Sequence, residues 1–230
     1  MIPKLFTIIL ETGIVPDDWC LGIIKPIYKN KGPENDPNNY RGITLLSSLG
    51  KLFTSCLNSR LNLYAESSGL LNENQAGFRK GYSTLDHIYS LHSIIEYYLY
   101  KKKRLYCAFV DYSKAFDLVD RVSLWQKMLA KGITGKVFNV IYNIYAKAKS
   151  CVKMGNQISG LFNSCIGVRQ GENLSPLLFA IYISDFDSFL SRKYGGLSYI
   201  DHDIKDLLCD DELEQYIKLY SNVFYTQMIR

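Results

Sequence analysis

Three stretches hold side chains suited to chemistry: FVDYSKAFD at 109–117, GVRQG at 167–171 and GFRKG at 77–81. In the first, the apolar run LYCAFV delivers Asp111, and Asp117 and Asp120 follow six and nine positions on. A carboxylate lifted out at the end of a rigid strand suits metal-assisted phosphoryl chemistry, with oxygens ~2.1 Å from Mg²⁺. Two carboxylates about 4 Å apart repel by about 4 kcal/mol at an effective dielectric of about 20, and a divalent ion between them reverses that sign. The alternative is that Asp111 simply terminates a strand or caps the next helix. Asp120, just before a helical pattern, reads as an N-cap, and Asp117 leans to a structural role. In GVRQG the glycines permit close backbone approach and Arg169 and Gln170 are polar, although a tight strand-to-helix turn explains the same residues. The glycines of GFRKG are weak evidence of the same kind, with Arg79 and Lys80 reading as solvated charge, and KKKR at 101–104 reads as a solvated linker or a phosphate contact. His87, His92 and His202 show no ligand spacing.

Residues 2–12 read as a helix ended by Gly13. CLGIIKPIYK alternates like a strand interrupted by Pro26, and 30–42 is a polar loop. Residues 47–65 place Leu49, Leu52, Phe53, Cys56, Leu57, Leu61 and Leu63 near helical spacing, with Ser48 as cap. After the basic loop at 72–84, residues 84–100 read as a helix with Ile88, Leu91, His92, Ile95 and Leu99 on one face. LYCAFVDY follows as a strand. Helices at 121–131 (ended by Gly132) and 136–148 (stripe Val137, Val140, Ile141, Ile144, Tyr145) come next. SCVKMGNQISG reads as a hairpin turning at Gly155-Asn156, and a helix spans about 174–190. This is α+β material, without the regular alternation of a doubly wound sheet.

Composition agrees with a globular chain: 230 residues, 47% hydrophobic, 21% charged and 13% aromatic. The net charge of +5 fits a polyanionic partner. The 6 cysteines form no CxxC pair. They read as reduced intracellular thiols, mostly buried, and neither as a zinc site nor as a disulfide framework. The longest apolar run, LLFAIYI, is too short to span a membrane.

Taken in order, IKPIYK, NNYRGITLLSSLGKLF, NQAGFRKGYST, FVDYSKAFDLVD and GVRQGENLSPLLFAIYISDF resemble the reverse transcriptase domain of non-LTR (LINE-type) retrotransposons over about residues 14–190. The resemblance implies a right-hand polymerase fingers–palm core that copies RNA into DNA, with RNA template, DNA primer and dNTP as partners. It implies two Mg²⁺ ions that activate the primer hydroxyl and steady the pyrophosphate. It divides the chain into a fingers-like region with an N-terminal helix at 1–100, a palm-like region at 101–190 and a divergent, truncated tail at 191–230, with an incomplete palm sheet and no thumb. By position, Asp111 is the catalytic, metal-binding carboxylate and the Tyr112 carbonyl a second metal contact. Phe116 is the aromatic gate under the incoming sugar. Gln170 and Gly171 line the nucleotide pocket, and Arg79 grips the triphosphate as a fork donor. Arg41 and Lys25 are weaker phosphate or template contacts. Ser175 and Pro176 start the helix behind the pocket.

One departure stands out. The family carries a Tyr-Ala-Asp-Asp-like hairpin after the RQG helix, supplying the partner carboxylates of Asp111, and this chain has none. Asp210-Asp211 lies in a charged context and reads as surface. In KLYSNVFYTQMIR, shifting the codons of FYTQMI by two nucleotides forces Leu and a final Asp and permits Tyr-Ala-Asp between them, so the box is expected out of frame. The chain as written is expected to be inactive, without its partner carboxylates. The alternative reading is a non-catalytic nucleic-acid-binding remnant.

Overall fold

The computed structural model describes residues 1–72, 75–105, 107, 109–186 and 188–189. The expectations for 191–230 (the tail, Asp210-Asp211, KLYSNVFYTQMIR, His202, Cys209) lie outside the described residues. The chain falls into two compact units, one of Met1–Leu70 with Lys114–Tyr182, the other of Leu71–Ser113 with residues from Ile183 onward.

In the first unit, helix α1 (Ile2–Thr12) starts with proline in its first turn and ends at Gly13, whose left-handed φ of 71° lets its N–H reach the Ile9 carbonyl. A single turn, α2 (Asp17–Cys20), leads into β1 (Leu21–Tyr28). β2 (Tyr40–Leu45) pairs antiparallel with β1, so the polar loop expected at 30–42 gives way to strand by Tyr40. Pro26 does not break β1, because it lies beyond the parallel pairing of Leu21–Ile24 with Lys149–Val152 of β3 (Lys149–Met154). The hairpin expected at Gly155-Asn156 is present: Met154 pairs with Gln157, Gly155 has φ 58°, and β4 (Gln157–Ile158) and β5 (Phe162–Asn163) both lie along β3. One extra residue separates the two pairings, and at that bulge Ser159 exchanges bonds with Val152. The result is a small mixed sheet in the order β2-β1-β3-β4.

α3 (Ser48–Ser67) is capped by Ser47, one residue before the expected Ser48. Its buried stripe is Phe53, Leu57, Leu61 and Ala65, while Leu49, Leu52, Cys56 and Leu63 face outward. Phe53 joins Phe6 and Trp19 in an aromatic cluster. α5 (Arg121–Ala130) starts where the Asp120 carboxylate accepts the Ser123 N–H. It packs on α7 (Ser175–Tyr182), and α6 (Gly135–Ala146) packs on α1. The α6 stripe is as expected, with Val140, Ile141, Ile144 and Tyr145 buried. α7 ends at Tyr182, short of the expected 190; after a turn at 183–185 the described residues Phe186, Ser188 and Phe189 are again helical.

In the second unit, α4 (Thr84–Tyr100) begins with a capping box between Ser83 and Asp86. The face expected to be covered is not: Ile88, His92, Ile95 and Leu99 are exposed, and Ile94 is the buried apolar residue. The helix carries apolar residues on more than one side, and periodicity alone does not say which side is covered. None of the described residues of the expected strand LYCAFVDY (105, 107 and 109–112) is in a strand, and Phe109 is 83% and Val110 62% exposed. A strand exists only where a neighbour satisfies its backbone groups, and among the described residues none runs beside it. Asp111 therefore stands on an exposed irregular segment, not at the mouth of a buried strand. The cysteines also differ from expectation: Cys20 and Cys151 are buried, but Cys56, Cys107 and Cys165 are exposed, and all five are free. No helix among the described residues is long and apolar enough to cross a membrane.

Candidate functional site

Within the first unit the GVRQG segment is held from several sides. The Val168 N–H donates to the Phe116 carbonyl at 2.8 Å and the Gly167 N–H to the Val119 carbonyl at 2.9 Å, which lays the loop against the end of FVDYSKAFD. The Thr44 N–H of β2 donates to the Gln170 carbonyl at 2.8 Å, so the loop also runs along the β2 edge that β1 leaves free. Both approaches require glycine. At Gly167 (φ 79°) a Cβ would stand 2.6 Å from the Asp117 carbonyl, and at Gly171 (φ 107°) 2.7 Å from the Thr44 carbonyl. The Gln170 amide Nε2 donates to Asp117, at 3.0 Å from Oδ1 and 3.1 Å from Oδ2. Desolvation pushes the Asp117 carboxyl above the ordinary aspartate range, against the pull of Gln170, Lys114 and Lys29.

Beneath this loop lies a buried polar cluster that sequence reasoning missed. Arg169 is turned inward, donating from Nη1 to the Trp19 carbonyl at 3.1 Å and from Nη2 to that of Cys20. Arg121 donates to the carbonyls of Gly167 (2.8 Å), Tyr145 (3.0 Å) and Ile166 (3.2 Å) and to both oxygens of Ser164. The Tyr145 ring lies near both guanidinium groups, 5.0 Å from Arg121 and 5.9 Å from Arg169. Its hydroxyl donates to Glu172 at 3.0 Å and lies 3.3 Å from Ser175, which donates to the Arg169 carbonyl. Burial pushes the Glu172 carboxyl up, opposed by Arg169 and the Tyr145 hydrogen bond, and burial with the Glu172 charge pushes the Tyr145 phenol up. The one sequence signal was the apolar stripe that contained Tyr145. Nothing in the spacing pairs Arg121 with residues more than forty positions away.

The other sequence-derived candidates divide between the units. Phe116 is half-buried and packs on Phe179 of α7, with ring centroids 5.3 Å apart. Lys25 and Arg41 lie on one exposed face of the β1–β2 ribbon, because Lys25 pairs with Ile43 and Arg41 with Ile27. In the second unit Arg79 is only 7% exposed, so it is not a solvated charge. Its guanidinium donates to the carbonyls of Asn72 and Gln75 and stacks 3.9 Å from the centre of the Tyr82 ring. Lys80 is exposed. Tyr112 contacts Phe186 edge-on at 6.2 Å, and the Asp111 carboxylate is exposed beside it. Among the described residues no three His, Cys, Asp or Glu side chains converge to hold a metal. Among the described residues Asp111 has no partner carboxylates with which to form the donor set of a pair of Mg²⁺ ions, each of which takes about six oxygen ligands.

The fold and site thus define a mixed α+β protein that presents a glutamine-bearing loop at the edge of a small sheet. The chain belongs to the reverse transcriptase family: the family model described as reverse transcriptase (RNA-dependent DNA polymerase) matches residues 27–217. It is 34% identical over 198 residues, 84% of the chain, to the probable RNA-directed DNA polymerase from transposon X-element of Drosophila melanogaster. It is 31% identical over 79% of its length to that from transposon BS, and 28% identical over 79% to the RNA-directed DNA polymerase from mobile element jockey, both of the same species. The matched region is 21%, 20% and 20% of the length of these curated relatives, so the chain spans about a fifth of each.

Two consequences are measurable. Gly171→Ala forces a side chain into a left-handed backbone against the Thr44 carbonyl, and the urea midpoint is expected to fall by the equivalent of about 1–3 kcal/mol. An unchanged midpoint means that the loop yields freely. Because the native Glu172 carboxyl titrates above the 4.5 of an ordinary glutamate, native chains hold its proton where unfolded chains have lost it. Its contribution is therefore complete below that value and is lost as pH rises through the native pKa. The stability of Glu172→Gln relative to the parent should increase over that window in urea titrations at stepped pH, and a flat difference contradicts the assignment.

Proposed function

We propose that this chain is the fingers–palm part of a retrotransposon RNA-directed DNA polymerase. The observation that carries the reading is the collinear family match over 27–217, which spans Arg41, Arg79, Asp111, Tyr112, Phe116, Gln170 and Gly171; Lys25 lies just before it. In this reading residues 1–100 form the fingers side, 101–190 the palm side, and 191–230 a divergent tail. RNA template, DNA primer and dNTP are the partners, and Mg²⁺ is the ion of the intact enzyme. The shared exposed face of Lys25 and Arg41 supports contact with phosphates, and the fixed placement of Gln170 and Gly171 supports a nucleotide pocket. Arg79 would have to leave its loop carbonyls to reach a triphosphate.

In this reading Asp111 is the one family-matched metal carboxylate within residues 1–230, and these residues by themselves are expected to give no turnover. A second reading, a remnant that only binds nucleic acid, is favoured by the +5 charge and by the exposed Asp111 without a converging acid cluster among the described residues. Primer extension on a poly-rA template with Mg²⁺ or Mn²⁺ should yield no cDNA; synthesis abolished by Asp111→Ala overturns the inactivity. RNA binding that weakens steeply with salt, without synthesis, supports the remnant reading. The DNA encoding residues 201–230 and the following few hundred bases should hold a Tyr-Ala-Asp-Asp-like box in a shifted frame. No such box in any frame removes the frameshift.

A further inference from the structure

We propose that Asp117 is a positioning residue that orients the Gln170 side-chain amide, leaving the amide oxygen as the free acceptor for a bound nucleotide. This rests on the reading of Gln170 and Gly171 as part of a nucleotide pocket. Four ties fix the Gln170 backbone: the Thr44 N–H on its carbonyl, the close approach of Gly171 to Thr44, the Val168 N–H on Phe116, and the Arg169 side chain on Trp19 and Cys20. Only side-chain torsions remain. A glutamine amide offers a donor end and an acceptor end of nearly equal shape, so its orientation is set by whichever group it meets. An ionised carboxylate only accepts. It takes the NH₂ end and repels the oxygen end, and Nε2 does lie within 3.1 Å of both Asp117 oxygens. Oε1 then necessarily points away from Asp117.

The carboxylate is itself held. Gly167 packs against the Asp117 backbone, and the Phe116 and Val119 carbonyls on either side accept from Val168 and Gly167. The charged groups facing Asp117 are Lys114 and Lys29, and both are tied to Asn38, at 3.0 Å to its side-chain oxygen and 2.8 Å to its carbonyl. Once protonated, Asp117 carries an O–H and satisfies either end of the amide, so the preference disappears. Because desolvation raises this carboxyl, the loss sets in at a higher pH than for an ordinary aspartate.

The test titrates dTTP with Mg²⁺ into the ¹⁵N-labelled full chain and follows the Gln170 side-chain amide resonances, assigned by their loss in Gln170→Ala. Asp117→Asn keeps the shape but accepts either amide orientation. It should weaken binding about tenfold, the usual effect of losing a hydrogen bond to a charged group. The parent's affinity relative to Asp117→Asn should fall as pH drops through the Asp117 pKa, a change that a merely structural role would not produce. In the double variant Asp117→Asn/Gln170→Ala, binding should be no weaker than in Gln170→Ala alone. Asp117→Ala gives the same readout should the Asn variant fold poorly. Equal affinity and pH profile in the parent and the Asp117 variants overturn the positioning role. Parent Gln170 resonances that do not respond to nucleotide overturn the pocket reading, and this inference with it.

Discussion

Burial of two arginines and a glutamate beneath one loop is the constraint on which the site of the first unit depends. A charged group taken out of water is tolerated only if its hydrogen-bonding capacity is met inside. Arg121 meets this demand with oxygens from Tyr145, Ser164, Ile166 and Gly167, and Arg169 meets it at Nη1 and Nη2 with the carbonyls of Trp19 and Cys20, while its buried Nε has no partner among the described residues. These acceptors come from α2, the end of α6 and the chain between β5 and α7. To satisfy the guanidinium groups is therefore to fix the path of the loop. Tyr145 and Glu172 complete the cluster by giving the carboxyl a donor and the phenol an acceptor.

From that anchoring follows the geometry of GVRQG. A loop drawn down by its arginine must come close to the chain beside it, and it does so twice, at the Asp117 backbone and at the Thr44 carbonyl. At both places a Cβ has no room, which is the physical reason for glycine on either side of the Val-Arg-Gln core. Gln170 is left as the polar side chain between these contacts, joined to Asp117 of the other chemistry-bearing stretch. Two segments separated by about fifty residues thus become one structural feature through backbone hydrogen bonds, before any ligand is considered.

The second unit is organised differently. Arg79 donates to carbonyls of its own loop, and α4 buries Ile94 while Ile88, Ile95 and Leu99 stay exposed. Asp111 and Tyr112 lie on a segment without strand partners among the described residues. The residue with the clearest sequence signature for metal chemistry thus has the least structural support, while Asp117, which looked structural, has specific partners.

Much of the local structure was legible in the sequence, because it depends on interactions within a few residues. Gly13 and Gly132 as helix ends, Asp120 as a cap, the turn at Gly155-Asn156 and the α6 stripe follow from backbone sterics and from spacing along one helix. The family was legible too, because ordered blocks survive along the chain. What the sequence could not determine depends on neighbours that only tertiary structure brings together. Whether LYCAFVDY becomes a strand depends on a ladder partner, which face of α4 is covered depends on what packs against it, and whether Arg169 is solvated depends on carbonyls supplied from elsewhere in the chain. The pairing of Asp117 with Gln170 and the burial of Glu172 belong to the same class, since a side chain's charge is read from its type but its partner only from the fold.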